Sequence, residues 1–427
     1  MTSLTTHRRS FIKWLAAAPV LATIAGRELS NKLSAAVGKS TANVYERIGV
    51  RPFINARGTW TYLSGSLELP EVRTAMEAAS QQFVDMFELQ RAAGKRLAEI
   101  SGAESGMVTS GAAGAMAAAT AACIAGKDQA KIWQLPDTTG LKNEVVMLGS
   151  RSPFDSAIRL AGAKLVMSSS QADLDGALTD KTAMVYTTWR DERLGKVLAV
   201  TKKAGVPLLL DDAAGIPPIE NLSRYAKAGV DLYCFSGGKG LRGPQCSGLL
   251  LGRKDLIEAA LANCSPWEGA VCRAMKVGKE EIIGLLAAVD AWARIDLKKL
   301  NDAWAKRVGR IAKLVEIVPG VTSDVHIPTG GNSYPTLTVH WDEKQFGLTV
   351  AECDRELRAG NPRIEVLTSS NPSLLSVIHE GGPKEQTLGR QSNQLQIVSM
   401  TLQEGEDLVV GQKLRDILRN ARNNAGR

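Results

Sequence analysis

Between residues 105 and 252 the chain repeats one pattern, a short apolar run followed by a stretch whose apolar positions recur at helical spacing. The runs are 106–109, 144–148, 163–167, 183–186, 206–210, 230–235 and 247–251. They are too short for helices and lack the polar alternation of a half-exposed strand, which predicts strands buried on both faces. Strands alternating with helices predict an α/β fold with a mostly parallel sheet. Residues 115–125 are Ala-rich and predict a helix buried all round. Residues 72–103 and 279–318 carry helical spacing with interleaved charges. After Pro319-Gly320 the pattern changes to mixed strands and helices. The expected organisation is an N-terminal segment and linker at 1–40, an arm at 41–75, a large domain at 76–318, and a smaller α+β domain at 319–427.

Composition narrows this only modestly. At 427 residues with 44% hydrophobic and 22% charged positions, the chain is neither disordered, collagen-like nor a polytopic membrane protein. The formal charge of +8 is concentrated at the two ends, in Arg8, Arg9 and Lys13 and in Lys413, Arg415, Arg419, Arg422 and Arg427. The basic tail is read as a solvated last helix, and no nucleic-acid partner is expected. The six cysteines form no C-x-x-C pair, and histidine occurs only at 7, 326, 340 and 379, so no metal site is expected.

The first residues form an address. His7-Arg8-Arg9-Ser10-Phe11-Ile12-Lys13 precedes an apolar run over 14–25, well short of the ~20 residues that span a bilayer. Paired arginines, a Phe two positions on and a closing Lys resemble a twin-arginine export signal. The expected location is the periplasm, without stable membrane insertion after export.

Three pieces fall at successive strand ends, where open α/β sheets bind ligands. Residues 206–210 lead into Asp211-Asp212-Ala213-Ala214-Gly215, a buried strand ending in two carboxylates. Residues 230–235 lead into Ser236-Gly237-Gly238-Lys239-Gly240. Ser110-Gly111-Ala112-Ala113-Gly114 opens the Ala-rich helix, whose free N–H groups suit a phosphate. Asp212 and Lys239 are one βαβ step apart, so their side chains fit neighbouring strand ends. A lysine for an imine, a carboxylate for a pyridine nitrogen and a helix N-terminus for a phosphate are the parts that pyridoxal phosphate chemistry needs. Rival motifs fail: Gly237-Gly238-Lys239-Gly240 lacks the Walker spacing, and no G-x-G-x-x-G follows a strand.

At these residues the sequence resembles a family. Ser236-Gly237-Gly238-Lys239-Gly240-Leu241-Arg242-Gly243-Pro244-Gln245 is similar to the cofactor-lysine segment of the group related to bacterial selenocysteine synthase. It is closer still to that group's glucosaminate-6-phosphate ammonia-lyase-like members. Asn55-Ala56-Arg57-Gly58-Thr59, Phe87-Glu88-Leu89-Gln90, Thr109-Ser110-Gly111-Ala112-Ala113 and Asp212-Ala213-Ala214 with Pro217-Pro218 extend the likeness, as does Arg273-Ala274-Met275-Lys276-Val277-Gly278-Lys279. The resemblance spans roughly residues 44–410. It implies an aspartate-aminotransferase-like fold (fold type I), a homodimer or larger homo-oligomer, and pyridoxal 5'-phosphate as cofactor. It further implies Lys239 as the Schiff-base lysine and Asp212 as the partner of the ring nitrogen. Ser110, Gly111, Ala112 and Ser236 would then surround the phosphate, with Arg151 over the ring. Arg57 and Arg363 are candidates for a substrate carboxylate, and Lys276 and Lys279 for a phosphate.

Bacterial selenocysteine synthase carries an N-terminal tRNA-binding domain, whereas residues 1–75 here are expected to form only a signal-like segment and an arm, so selenium transfer is not the expected activity. The expected activity is therefore a lyase acting on an amino acid or amino-sugar acid, releasing ammonia by α,β-elimination through a lysine aldimine and a quinonoid. Transamination, racemisation and a non-catalytic binding role on the same fold stay open at this point.

Overall fold

The structure, a computed structural model, describes residues 43–149, 151–168, 170, 172–368 and 394–426. The twin-arginine segment lies outside the described residues. The chain forms two compact units, residues through Phe53 and Ile54–Arg427. In the first, a short 3-10 helix, Glu46–Ile48, ends at Gly49 in the left-handed region with φ 78°.

From Phe53 onward the described chain contains two sheets. The first takes β2 (Ser105–Thr109), β3 (Glu144–Leu148), β4 (Lys164–Ser168), β5 (Thr182–Thr187), β6 (Leu208–Asp211), β7 (Leu232–Ser236) and β8 (Gly248–Gly252), in the order β2-β8-β7-β6-β5-β3-β4. All seven match the apolar runs of the sequence to within two residues. β4, β3, β5, β6 and β7 are parallel neighbours, whereas β8 lies antiparallel to both β7 and β2. The sheet is thus mostly parallel. β8 reverses because the link from Ser236 to Ser247 holds no helix, and a parallel return needs a crossover of a dozen residues or more.

Helices cover both faces. On one side lie α1 (Pro70–Ser80), α2 (Met86–Ser101), α4 (Arg193–Ala204), α5 (Asn221–Ala228) and α7 (Lys279–Trp292), meeting Leu208, Leu210, Tyr233 and Phe235. On the other, α3 (Gly111–Ala125) and α6 (Lys254–Ala262) meet Met107, Leu209, Leu232 and Cys234. Helix α3 is buried nearly all round because its small side chains let it lie close against the sheet. Two continuous helical patterns of the sequence prove to be pairs of helices. Asp85 caps α2 by accepting from the amides of Phe87 and Glu88, and Asp296 caps α8 (Leu297–Val315) by accepting from Lys299 N. A carboxylate bonded to first-turn amides stops the preceding helix from running through.

The second sheet orders β1 (Phe53–Ala56), β11 (Arg363–Thr368), β12 (Leu395–Val398), β10 (Thr336–His340) and β9 (Thr322–His326) as β1-β11-β12-β10-β9. Helices α8, α9 (Val350–Ala359) and α10 (Glu406–Ala425) close its core around Ile311, Leu337, Ile364, Ile397 and Leu414. Helix α10 turns Val410, Leu414 and Leu418 inward, and its basic residues follow on the outer face. Among the described residues no helix is long and apolar enough to cross a membrane.

Close approach of backbones sets the spacing of these layers. A Cβ on Gly94 of α2 would sit 2.2 Å from the carbonyl oxygen of Gly106 in β2. Gly94→Ala is therefore expected to lower stability by about 1–3 kcal/mol, as overpacking does. The urea midpoint is the measurement, and an unchanged midpoint would show that α2 can retreat freely.

Candidate active site

The C-terminal ends of the parallel strands assemble the site. Lys239 sits in the link between β7 and β8, held at its backbone on two sides. Ser66 Oγ donates to the carbonyl oxygens of Gly238 (3.1 Å) and Lys239 (2.8 Å), and Arg242 N donates to Lys239 O (3.0 Å). A Cβ on Gly240 would lie 1.8 Å from the Ile216 carbonyl oxygen, so that position admits only glycine. The lysine side chain is half-buried with Nζ 5.8 Å from the centroid of the Phe154 ring. Burial lowers its pKa from the ordinary lysine value, and Asp211 supplies the largest opposing electrostatic pull.

The phosphate-suited positions meet at β8. Gly248 pairs with Thr109 on one side and Ser236 on the other. A Cβ there would run into the Gly111 carbonyl carbon at 2.4 Å. This backbone contact brings Ser236 to the start of α3. Ser110 is the N-cap and makes no side-chain capping bond. Gly114 N donates to Ser110 O (3.2 Å), so the amides of Gly111, Ala112 and Ala113 precede the first intrahelical bond.

The two adjacent carboxylates point to opposite faces of the sheet. Asp211 continues the face of Leu209, on the α3 side. Its Oδ2 accepts from Tyr186 OH (2.9 Å), its Oδ1 accepts from Ala213 N (2.9 Å), and Cys234 Sγ lies 3.8 Å away. Asp212 turns to the other layer, where Oδ2 accepts from Tyr225 OH (2.6 Å) and Oδ1 lies 2.6 Å from Arg190 Nη1. The structure therefore brings Asp211, rather than the expected Asp212, to the face that carries the α3 N-terminus. The physical reason is the strand's period of two, which separates neighbours to opposite sides. Asp212 also explains Gly215, where any Cβ would fall 1.8 Å from Asp212 Oδ2.

Other expected residues are placed elsewhere. Arg151 is exposed and ion-paired with the buried Asp155, and the side chain near Lys239 is that of Phe154 three residues on. Arg57 is buried, donates to Val366 O (2.9 Å) and faces the Trp60 and Tyr62 rings, a structural placement. Arg363 is ion-paired with the buried Glu365. Lys279 donates to Ala79 O (3.0 Å) and pairs with Glu280. Arg190, which the sequence reading passed over, joins the two sheets: besides Asp212 it donates through Nη2 to Gly330 O (2.8 Å). Its position after β5, at another strand end, was the available signal.

These features define the site of a fold type I cofactor enzyme, and comparison with known proteins places it more narrowly. A family model, Aminotransferase class-V, matches residues 71–283. The 5'-C-glycyluridine monooxygenase-decarboxylase of a Streptomyces species is 32% identical over 75% of this chain and 83% of its own. The D-glucosaminate-6-phosphate ammonia lyase of Salmonella typhimurium is 30% identical over 75% of this chain and 88% of its own. A solved structure of D-glucosaminate-6-phosphate ammonia-lyase superposes with a TM-score of 0.72 at 27% identity, covering 90% of this chain and all of that one. The chain belongs to the class-V aminotransferase family, and it is a pyridoxal-phosphate-dependent enzyme.

Burial raises the pKa of Asp212 from 3.8 to about 6, against the opposing pull of Arg190 and the Tyr225 hydrogen bond. The folded state thus keeps a proton that the unfolded chain releases. Stability is full below about pH 4 and falls as pH rises through 6, by up to about 3 kcal/mol. Asp212→Asn is expected to flatten that slope in urea unfolding followed from pH 4.5 to 7, and an unaltered slope would assign it to other groups.

Proposed function

We propose that this chain is a pyridoxal-phosphate-dependent lyase that releases ammonia from an amino acid or amino-sugar acid. The observation carrying this reading is Lys239, an amine with no hydrogen-bond or ion-pair partner among the described residues, set near Asp211 and the Phe154 ring. A partnerless half-buried amine suits a covalent role better than a structural one. The residues present fit the cofactor. Amides of Gly111, Ala112 and Ala113, with the hydroxyls of Ser110 and Ser236, would hold its phosphate at the positive end of α3. Asp211 would keep the ring nitrogen protonated, and Phe154 would cover one ring face. When bound, the cofactor supplies an electron sink for negative charge at the substrate carbon beside the amine.

The remaining chemistry belongs to the protein. The lowered pKa of Lys239 enlarges the neutral fraction of Nζ near neutral pH, the form that accepts a proton from that carbon. Asp212, tied to Tyr225 and Arg190, acts from the opposite layer by holding the end of β6 in place. Loss of a β-leaving group with that proton then leaves an enamine, which after release tautomerises to an imine and is hydrolysed by water to a 2-oxo acid and ammonia. The likeness to an ammonia lyase supports that outcome, whereas the likeness to a monooxygenase-decarboxylase supports a second one, in which oxygen is consumed and carboxylate lost. Transamination and racemisation would use the same proton at Lys239.

The test is ammonia release and oxygen uptake by the cofactor-loaded protein over a panel of hydroxy-amino acids and amino-sugar acids. Lys239→Ala is expected to abolish turnover, and Asp211→Asn to lower it about 10²-fold or more, well beyond Asp212→Asn. Oxygen uptake without ammonia would favour the second outcome. A larger loss in Asp212→Asn than in Asp211→Asn would return the ring-nitrogen role to Asp212.

The mature enzyme is further proposed to be a periplasmic homodimer. The Arg8-Arg9 signal supports the location, and the exposed apolar side chains of Trp60, Phe83 and Val84 support self-association. Replacing both Arg8 and Arg9 by Lys should retain the protein in the cytoplasm, and light scattering of the exported protein should give at least two chains. Unchanged export, or a monomer, would end the respective proposal.

A further inference from the structure

Apart from the residues assigned to the cofactor, three guanidinium groups line one cavity of about 220 Å³. It lies where Leu67, Glu68, Pro70 and Arg73 meet Arg242, Arg307 of α8 and residues 400–403. The three arginines have no carboxylate partner among the described residues, and each makes one bond to a backbone carbonyl. Arg73 Nη1 donates to Glu68 O (2.6 Å), Arg242 Nε to Leu67 O (2.9 Å) and Arg307 Nη1 to Leu402 O (2.5 Å). A guanidinium carries five N–H donors, so most of theirs are unspent. Arg253 and Arg310, more exposed than Arg242 and Arg307, each find an acid, in Asp231 and Asp407.

The charges act on one another. Arg242 is held below the ordinary arginine value by burial and by the neighbouring Arg307 and Arg73, with Glu71 opposing. Among the described residues Glu68 is the one acid lining the cavity, against three cations. Thr401 Oγ1, on the same wall, is buried without a hydrogen-bond partner among the described residues. Arg242 also takes a left-handed backbone, φ 54°, which a side chain with a Cβ seldom adopts. Like charges gathered in a partly buried cavity repel unless an anion balances them, and guanidinium forks match the oxygens of phosphate.

We propose that this cavity binds a phosphate group, with Arg73, Arg242 and Arg307 as donors and the Thr401 hydroxyl as a further donor. The group is either the phosphate of a phosphorylated substrate or free phosphate. Arg242 follows Lys239 by three residues and donates to its carbonyl, so an anion there also braces the loop that carries the reactive lysine. The site is independent of the cofactor reading, because none of its residues belongs to the set assigned to the cofactor.

The experiment is thermal unfolding of the cofactor-saturated protein against inorganic phosphate, with ionic strength held constant by chloride. Phosphate is expected to raise the midpoint of the wild type. Arg307→Met should weaken the apparent affinity about tenfold or more, as loss of one charge-assisted contact does, and Arg307→Lys should recover part of it. Arg73→Met, on an exposed first helical turn, supplies the same readout should Arg307→Met not fold. An equal response in wild type and variants would overturn the proposal. Visible absorbance of the cofactor is followed in parallel, so failure of cofactor binding is seen separately. Competition of phosphate with a phosphorylated substrate identifies the substrate's own group, whereas a phosphate response that a saturating phosphorylated substrate leaves unchanged identifies a free anion.

Discussion

Backbone packed directly on backbone around the lysine loop is the constraint from which the site follows. Gly240 lies against the Ile216 carbonyl and Gly248 against the start of α3, each too close to admit a Cβ. Ser66 closes the other side by donating to the carbonyls of Gly238 and Lys239, while Trp292 Nε1 donates to Leu241 O from α7 (2.9 Å). Because the loop's own main chain is held in these contacts, it has little freedom to relax. Lys239 can then be held half-buried without a hydrogen-bond or ion-pair partner among the described residues, and an amine so held is the group that the chemistry requires.

From that fixed loop the electrostatics divide by layer. The α3 side receives Asp211, Tyr186 and Cys234, and the electrostatic pull on Lys239 comes first from Asp211. The opposite side receives Asp212, which burial would keep protonated to about pH 6, with Tyr225 and Arg190 as partners. Arg190 carries this arrangement across to the second sheet through Gly330 O, and Asn332 N repeats the link by donating to Ala214 O (2.8 Å). The end of β6 therefore serves two purposes at once. One carboxylate faces the reactive layer, and the next anchors the strand to the segment leading into β10.

Much of the fold was legible because burial on both faces leaves an unmistakable run of apolar residues. Runs 144–148 and 206–210, for example, became β3 and β6. Legibility failed where a single residue overrides periodicity. Asp85 and Asp296 cap new helices inside patterns that otherwise continue, because the apolar stripe persists through both breaks. At the site, Lys239, Ser236 and the Ser110 turn stood out through their glycine-rich surroundings. Phe154 did not, since an aromatic residue beside a Pro carries no local mark of the amine it will meet.

The sequence by itself determined the α/β class, the order of strands and helices, and the loops that bear the reactive groups, since these depend on local composition and period. It also placed two carboxylates at the end of β6. Which of them faces the lysine depended on the layer in which α3 came to lie, and that is settled only when the Ala-rich helix packs against β7 and β8. The arginine cavity is of the same kind. Arg73, Arg242 and Arg307 are far apart in the chain, and their shared field exists only once the lysine loop, α8 and the turn after β12 have met.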